Sequence, residues 1–214
     1  MKDQRTQRDG YRMIRSLIIA SVLAAVCFYT AKAQTAYKLS ASPENVIKVL
    51  GSSNVHDWEM KSSTLVCEAD FVTAGGEVRS LKTLSFTVNA KTLKSEHSSM
   101  DDRTYKTIKA NDFPQISFKL SSATISQGEK SRFTIKATGT LTIAGVSKVV
   151  TLQVNGDTKA DQSILCTGEE KIKLTDFKIT PPSFMLGAMK VKDDLTIQYT
   201  LNFKNSNKIV SQIN

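Results

Sequence analysis

Hydrophobic and polar residues alternate along most of the chain after position 36, which is typical of β-strands with one buried face. In residues 132–143, for example, Phe133, Ile135 and Leu141 share the apolar face. The alternation predicts a series of strands, with residues 51–54 as a turn between the second and the third. The predicted strands cover residues 37–41, 45–50, 55–61, 64–73, 78–90, 115–125, 132–143, 148–155, 163–174 and 195–203.

The alternation is interrupted between positions 98 and 109, where no period of two is visible. Serines and aspartates open this segment and lysines close it, as favoured by the dipole of a helix. We therefore predict one short helix over residues 98–109. Asp101 and Asp102 are interpreted as charges at the helix start. Because adjacent helix residues point about 100° apart, the two carboxylates cannot act as a catalytic pair.

Long strands joined by short turns, with a single helix, exclude a doubly wound α/β fold. They favour a closed antiparallel barrel, which leaves no strand edge exposed. An immunoglobulin-like sandwich is the alternative, but its strands are usually shorter and no Cys…Trp…Cys pattern surrounds Trp58. We predict an all-β fold, an antiparallel β-barrel with one short helix.

The first 33 residues form a predicted signal peptide. Arg12 and Arg15 precede a 13-residue apolar run over positions 17–29, and Ala31 and Ala33 supply the small residues of a cleavage site after Ala33. The apolar run is shorter than the roughly 20 residues that a membrane-spanning helix needs. An uncleaved membrane anchor is the alternative.

Cys27 does not fit the signal of a lipoprotein. Such a signal has a small residue directly before the cysteine and a leucine three positions before it, where this chain has Val26 and Ala24. We therefore expect cleavage after Ala33 to leave a chain without a stable membrane span. The expected organisation is a signal peptide over residues 1–33, a β-barrel domain over 34–204 and a polar tail over 205–214.

The charge distribution argues against nucleic acid as a partner. The whole chain carries 29 Lys and Arg against 20 Asp and Glu, a net charge of +9. The part after residue 33 keeps 23 basic and 18 acidic residues, so its net charge is +5. These charges are scattered, with no run of five or six of one sign, which indicates a solvated surface. The oligomeric state stays open between a monomer and a homodimer.

No combination of residues points to catalysis or to a bound metal. The sequence has no nucleophile elbow, phosphate-binding loop, zinc-protease motif or dinucleotide motif. His56 and His97 stand at unrelated positions, and neither lies at metal-ligand spacing from Cys67 or Cys166. We expect neither enzymatic activity nor a metal. A disulfide between the two cysteines is left open, because buried free cysteines fit the pattern as well.

The inward faces of the predicted barrel consist mainly of Leu, Ile, Val and Phe. An eight-stranded barrel either fills its interior with side chains or keeps room for one small ligand. Apolar burial contributes ~0.8 kcal/mol per methylene group, so a lipid chain could bind without a polar anchor. The pattern leaves two hypotheses: a lipid-binding protein, or a structural or stress-related envelope protein with a filled barrel and no ligand.

Three segments carry more specific motifs, namely residues 108–118 (IKANDFPQISF), 138–152 (TGTLTIAGVSKVVTL) and 171–179 (KIKLTDFKI). In this order they resemble the YceI-like family, and residues 54–58 (NVHDW) look like a variant of the segment near the start of its domain. The resemblance implies an extended lipocalin-like barrel that is exported to the periplasm. It also implies a bound polyisoprenoid or quinone-like lipid inside the barrel, with no other cofactor.

Under this interpretation nine residues are expected to line the lipid chain, and two histidines could contact its headgroup. For His56 the alternative is a residue that caps the turn after Asn54, and for His97 a residue that orients the helix. The expected lining residues are Trp58, Phe86, Phe118, Phe133, Leu141, Leu152, Ile172, Ile197 and Tyr199.

Overall fold

A computed structural model describes residues 36–206, most of which form antiparallel β-strands. The strands are β1 (Ala36–Leu39), β2 (Val46–Ser53), β3 (Asp57–Ser62), β4 (Leu65–Ala74), β5 (Glu77–Asn89), β6 (Gln115–Gln127), β7 (Arg132–Ile143), β8 (Val146–Thr158), β9 (Ile164–Lys173), β10 (Ser183–Phe184) and β11 (Met189–Asn205). Between them lie the helix α1 (Ser98–Thr107) and two short 3-10 turns (Ala90–Thr92 and Leu174–Phe177).

The sheet closes on itself through β1. Strands β4 to β9 pair in sequence order, and β9 then pairs with β11. Tyr37 on β1 pairs with Ala69 on β4, and Leu39 on β1 pairs with Phe203 on β11. β2 pairs with the part of β11 that precedes the segment paired with β1. β3 pairs with β2 and continues the line of β4. The result is a closed eight-stranded antiparallel barrel, which confirms the predicted fold and excludes the sandwich.

The end of the barrel beside β1 is packed with aromatic rings, and we call it the floor. The ring of Phe71 meets those of Tyr37 and Phe203 edge to face, with 5.5 Å between ring centroids in both pairs. A second apolar cluster joins Ile108, directly after α1, to Leu195, eight residues before Phe203 on β11. Buried side chains therefore pack both the floor and the region beside α1.

A buried carboxylate attaches α1 to the barrel. Asp101 accepts hydrogen bonds from the backbone N–H of Ser95 at 2.7 Å and from its hydroxyl at 2.8 Å, and Lys94 lies 3.4 Å away. Burial opposes ionisation of Asp101, but the bonds from Ser95 and the charge of Lys94 outweigh it, so its pKa is lowered. Asp102 is exposed, so the two aspartates do not form a pair. The helix ends at Thr107, two residues earlier than predicted.

Two predictions of local structure are wrong. Residues 51–53 belong to β2 rather than to a turn, because the indole ring of Trp58 lies over Gly51 and occupies the place of a side chain there. The turn falls at residues 54–56 instead. The last strand begins at Met189, six residues earlier than expected, where it forms a hairpin with β10.

The predicted signal peptide, the cleavage position after Ala33 and most of the polar tail lie outside the described residues. The expected domain boundaries therefore stay predictions. Within residues 36–206, no helix is both long enough and apolar enough to cross a membrane.

Candidate functional site

A cavity of about 380 Å³ lies inside the barrel. Inward-facing residues of every strand from β2 to β9, together with β11, form its wall, and residues of α1 lie across one end. The wall is almost entirely apolar. The volume falls within the range of roughly 300–1,000 Å³ found for small-molecule pockets. The barrel is therefore hollow rather than filled.

Eight of the nine expected lining residues face this cavity. Phe133 is the exception, because it is buried in the floor, where its ring occupies the space left by the missing side chain of Gly156. We correct its assignment: Phe133 supports the floor and does not line the cavity. The eight lining residues are Trp58, Phe86, Phe118, Leu141, Leu152, Ile172, Ile197 and Tyr199.

The cavity opens between the β2–β3 turn and α1, because exposed side chains of both regions also line it. His56 comes from the turn, while His97 and Arg103 come from the helix and its N-terminal flank. The hydroxyl of Ser53, rather than the imidazole of His56, caps the turn by accepting from the backbone N–H of His56 at 3.1 Å. The side chain of His97 makes no capping bond to α1. Both histidines therefore stand at the mouth of the cavity.

Two polar side chains lie inside the apolar wall. On β9, Glu170 pairs with Ile197, and the next inward position, Gly168, pairs with Tyr199 on β11. Tyr199 and Glu170 are therefore diagonal neighbours on the same face, a separation that long side chains can bridge. The phenol of Tyr199 lies over Gly168, where a Cβ would collide with it.

Burial shifts the pKa of both side chains in this pair. It raises the pKa of Glu170, and it also raises the pKa of Tyr199, with a smaller contribution from the nearby carboxylate of Glu170. The hydroxyl of Tyr199 is buried without a hydrogen-bond partner. The sequence analysis missed Glu170, although the inward positions Cys166 and Ile172 on the same strand place it on the inner face.

Trp58 presents a third polar group to the cavity. Its ring packs over Gly51, and its indole N–H is buried without a partner. Gly51 pairs with Leu195 on β11, four residues before Tyr199, so the indole lies nearer to the mouth than the phenol does. The cavity thus contains two donor groups, at two depths, that the protein itself leaves unsatisfied.

The two cysteines are free thiols in the barrel interior. Burial raises the pKa of both Cys67 and Cys166 to about 12, which keeps the thiols protonated and unreactive at neutral pH. In the part of the chain that the structure describes, no three His, Cys, Asp or Glu side chains are grouped so that they could hold a metal ion.

A closed antiparallel barrel around an apolar cavity, with a helix beside its mouth, defines a lipocalin-like binding-protein fold. The YceI-like domain matches residues 42–203, about three quarters of the chain. The chain therefore belongs to the YceI-like family, as the three sequence segments predicted. No curated protein matches it.

Solved structures share this fold at low sequence identity. The crystal structure of Burkholderia cenocepacia BcnA has a TM-score of 0.61 and 19% identity, and the match covers 77% of this chain and 98% of that one. A polyisoprenoid binding domain from Saccharophagus degradans, implicated in plant cell wall breakdown, has a TM-score of 0.61 and 13% sequence identity. That match covers 80% of this chain and 99% of that one. The Campylobacter jejuni YceI protein has a TM-score of 0.52 and 23% sequence identity, and the match covers 78% of this chain and 88% of that one.

Proposed function

We propose that this protein is an exported, non-catalytic carrier that holds an apolar lipid, a polyisoprenoid or isoprenoid-quinone-like chain, inside its barrel. The observation that carries the proposal is the cavity of about 380 Å³ with its almost wholly apolar wall. One relative of the same fold is described as a polyisoprenoid binding domain, which supports the same ligand class.

The energetics favour a chain-like ligand. Each methylene group transferred from water into such a wall contributes ~0.8 kcal/mol, so about ten buried carbons supply roughly 8 kcal/mol before the entropic cost of binding. Polar ligands would gain little, because the wall offers few hydrogen-bonding groups. The cavity also disfavours the alternative of a filled structural barrel, whose large side chains would meet at its centre.

Export to the periplasm follows from the predicted signal peptide over residues 1–33. A carrier of apolar chains has a clear role there, because such chains are insoluble in the aqueous space between two membranes. N-terminal sequencing of the protein released from the periplasm should give Gln34 as the first residue. An N-terminus upstream of Ala33 in the released or membrane-bound protein would contradict the cleavage.

Native mass spectrometry of protein purified from its own periplasm tests the carrier directly. We expect a co-purifying mass of a few hundred daltons that is lost on denaturation. Trp58 provides a second test, because it is the single tryptophan of the chain and lines the cavity. An isoprenoid quinone should quench its fluorescence to saturation at one equivalent. Repeated ligand-free spectra together with no quenching would refute the proposal.

A further inference from the structure

We propose that the cavity selects lipids with a neutral hydroxyl group, which Tyr199 and Glu170 hold in the middle of the barrel. The inference rests on the proposed lipid-carrier function and adds the chemistry of the group that the cavity recognises. Its basis is the pair of polar side chains at mid-depth in an almost entirely apolar wall.

The position of the pair is set by strand register. Tyr199 pairs with Gly168, and its ring can lie over that residue because glycine has no side chain to collide with it. Glu170 follows two residues later on β9 and also lines the cavity. Floor residues such as Leu201 and Phe203 lie further along β11, so the pair is at mid-depth rather than at the mouth.

The hydrogen-bonding capacity of the pair defines the ligand group. The Tyr199 hydroxyl is buried without a partner and can donate, and an ionised Glu170 can only accept. An alcohol satisfies both at once, since its oxygen accepts from Tyr199 while its O–H donates to Glu170. Leaving a buried polar group unsatisfied is costly, so an alcohol that reaches this depth gains over a plain hydrocarbon.

The same pair disfavours acidic lipids. Glu170 is the single carboxylate among the residues that line the cavity in the described part of the chain. A carboxylate or phosphate at this depth would meet a like charge in a poorly solvated space, which is strongly unfavourable. Acidic headgroups would therefore have to remain near Arg103 at the mouth.

The test compares three C20 isoprenoid probes of equal chain length: geranylgeraniol, the hydrocarbon phytane and geranylgeranoic acid. Binding is followed by Trp58 fluorescence and isothermal calorimetry at pH 8. We expect the alcohol to bind about tenfold more tightly than the hydrocarbon, the gain of roughly one good hydrogen bond. The acid should bind more weakly than the alcohol by at least as much.

Variants separate the two roles. Tyr199→Phe should bring the ratio of alcohol to hydrocarbon affinity close to one, and Glu170→Gln should reduce the discrimination against the acid. Tyr37→Phe is the matched control, because this buried tyrosine packs on Phe71 in the floor and does not line the cavity. Its ratios should equal those of the unmodified protein.

The possible failures are distinguishable. If the acid binds as tightly as the alcohol, or if the ratios do not change in Tyr199→Phe and Glu170→Gln, the selectivity proposal is overturned while the carrier function stands. If none of the three probes binds, the carrier function itself fails.

A different observation, at the mouth, supports a second inference. We infer that three exposed apolar side chains, Val55, Met185 and Leu186, form a lip that docks onto an anionic lipid bilayer. They are 64%, 72% and 110% exposed, whereas such side chains are normally scattered singly on a surface. Val55 lies in the β2–β3 turn, and Met185 and Leu186 lie in the β10–β11 turn. Asn54 joins the two turns: its side-chain amide donates to the Ala188 carbonyl at 2.9 Å and accepts from the Lys190 N–H at 2.8 Å.

The backbone of the lip is unusual for its residues. Met185 and Leu186 have φ angles of 55° and 56°, a left-handed conformation that favours glycine and asparagine. Two large apolar residues therefore occupy strained positions while their side chains are mostly exposed to solvent. The guanidinium carbon of Arg103 lies 4.7 Å from the centroid of the neighbouring Phe184 ring. Lys190 is exposed next to the lip. Apolar side chains flanked by basic ones match the interface of an anionic membrane.

The lip adjoins the opening of the cavity, so docking there would place the mouth against the source of the lipid. The double variant Met185→Asn/Leu186→Gly removes the apolar side chains and suits the left-handed backbone, so it should fold at least as well. In flotation with vesicles of three parts phosphatidylcholine to one part phosphatidylglycerol, we expect its bound fraction to fall several-fold.

Val149→Ser is the matched control, since Val149 is 74% exposed on β8 and does not line the cavity. It should float like the unmodified protein. Equal flotation of the double variant and the unmodified protein, or an equal loss in Val149→Ser, would overturn the docking inference. Flotation is measured without added lipid ligand, so the result does not depend on the carrier function.

Discussion

Phe118→Ala gives a direct test of the inward face and of the cavity wall. Phe118 is 5% exposed on β6, and its ring lies against Gly139 on β7 while it also lines the cavity. The next residue, Lys119, is exposed on the outer face of the same strand. Truncating these two neighbours therefore compares an inward and an outward position in one strand.

The size of the effect follows from how Phe118 packs. Truncation of a buried Phe to Ala costs about 3–5 kcal/mol. One side of this ring faces the cavity rather than packed atoms, so we expect the lower limit, about 3 kcal/mol. In domains of this size 1 kcal/mol corresponds to about 2–4 °C, so Tm should fall by about 6–12 °C. Lys119→Ala should change stability by less than about 0.5 kcal/mol, or at most 2 °C.

Thermal unfolding followed by circular dichroism measures both variants, and urea unfolding checks that they differ in free energy. Phe118→Asp extends the test, because it places a charge in the apolar wall and should unfold the protein or abolish lipid uptake. A Tm for Phe118→Ala within 2 °C of the unmodified protein, or a larger loss in Lys119→Ala, would show that the assigned faces are inverted.

Three further predictions concern titratable groups. Because burial raises the pKa of both thiols to about 12, Cys67 and Cys166 should not react with a disulfide reagent at pH 8 until the protein is unfolded; rapid labelling of the folded protein would contradict their placement. The raised pKa of Glu170 means that the folded state holds this proton more tightly than the unfolded state. The unmodified protein therefore loses stability as pH rises above the ordinary glutamate pKa of about 4.3. Glu170→Gln cannot lose this proton, so its Tm should exceed that of the unmodified protein by a growing margin between about pH 4 and 7. The outward control Glu169→Gln should show no such gain. Asp101→Ala leaves the N–H and hydroxyl of Ser95 without their acceptor and should lower Tm by about 3–10 °C at neutral pH; an unchanged Tm would mean that α1 is not held by this carboxylate.

Local physical rules explain why most of the fold could be predicted. A strand with one buried face needs apolar residues at every second position, so the pattern over residues 132–143 matches β7 without any error at its ends. The break in this pattern near residue 98, together with its charges, was enough to locate α1. The family resemblance, carried by short motifs in the order of the strands, was also correct.

The errors occurred where a residue from another strand determines the local structure. Gly51 looked like part of a turn, but it lies within β2 because Trp58 on the neighbouring strand fills its side-chain space. Phe133 has the inward parity of a lining residue, yet it packs over Gly156 in the floor. In both cases the partner is brought close by the register of two paired strands.

The sequence by itself determined the strands, their inward faces, the single helix and the family, because these depend on spacing along the chain. Only the tertiary structure decided whether the barrel is hollow, since alternation reports which face is buried and not how far apart the opposite walls stand. It also decided that Glu170 lies beside Tyr199 inside the cavity, because strand register sets that neighbour relation. The apolar lip at the mouth likewise depends on two turns that meet only when the sheet closes.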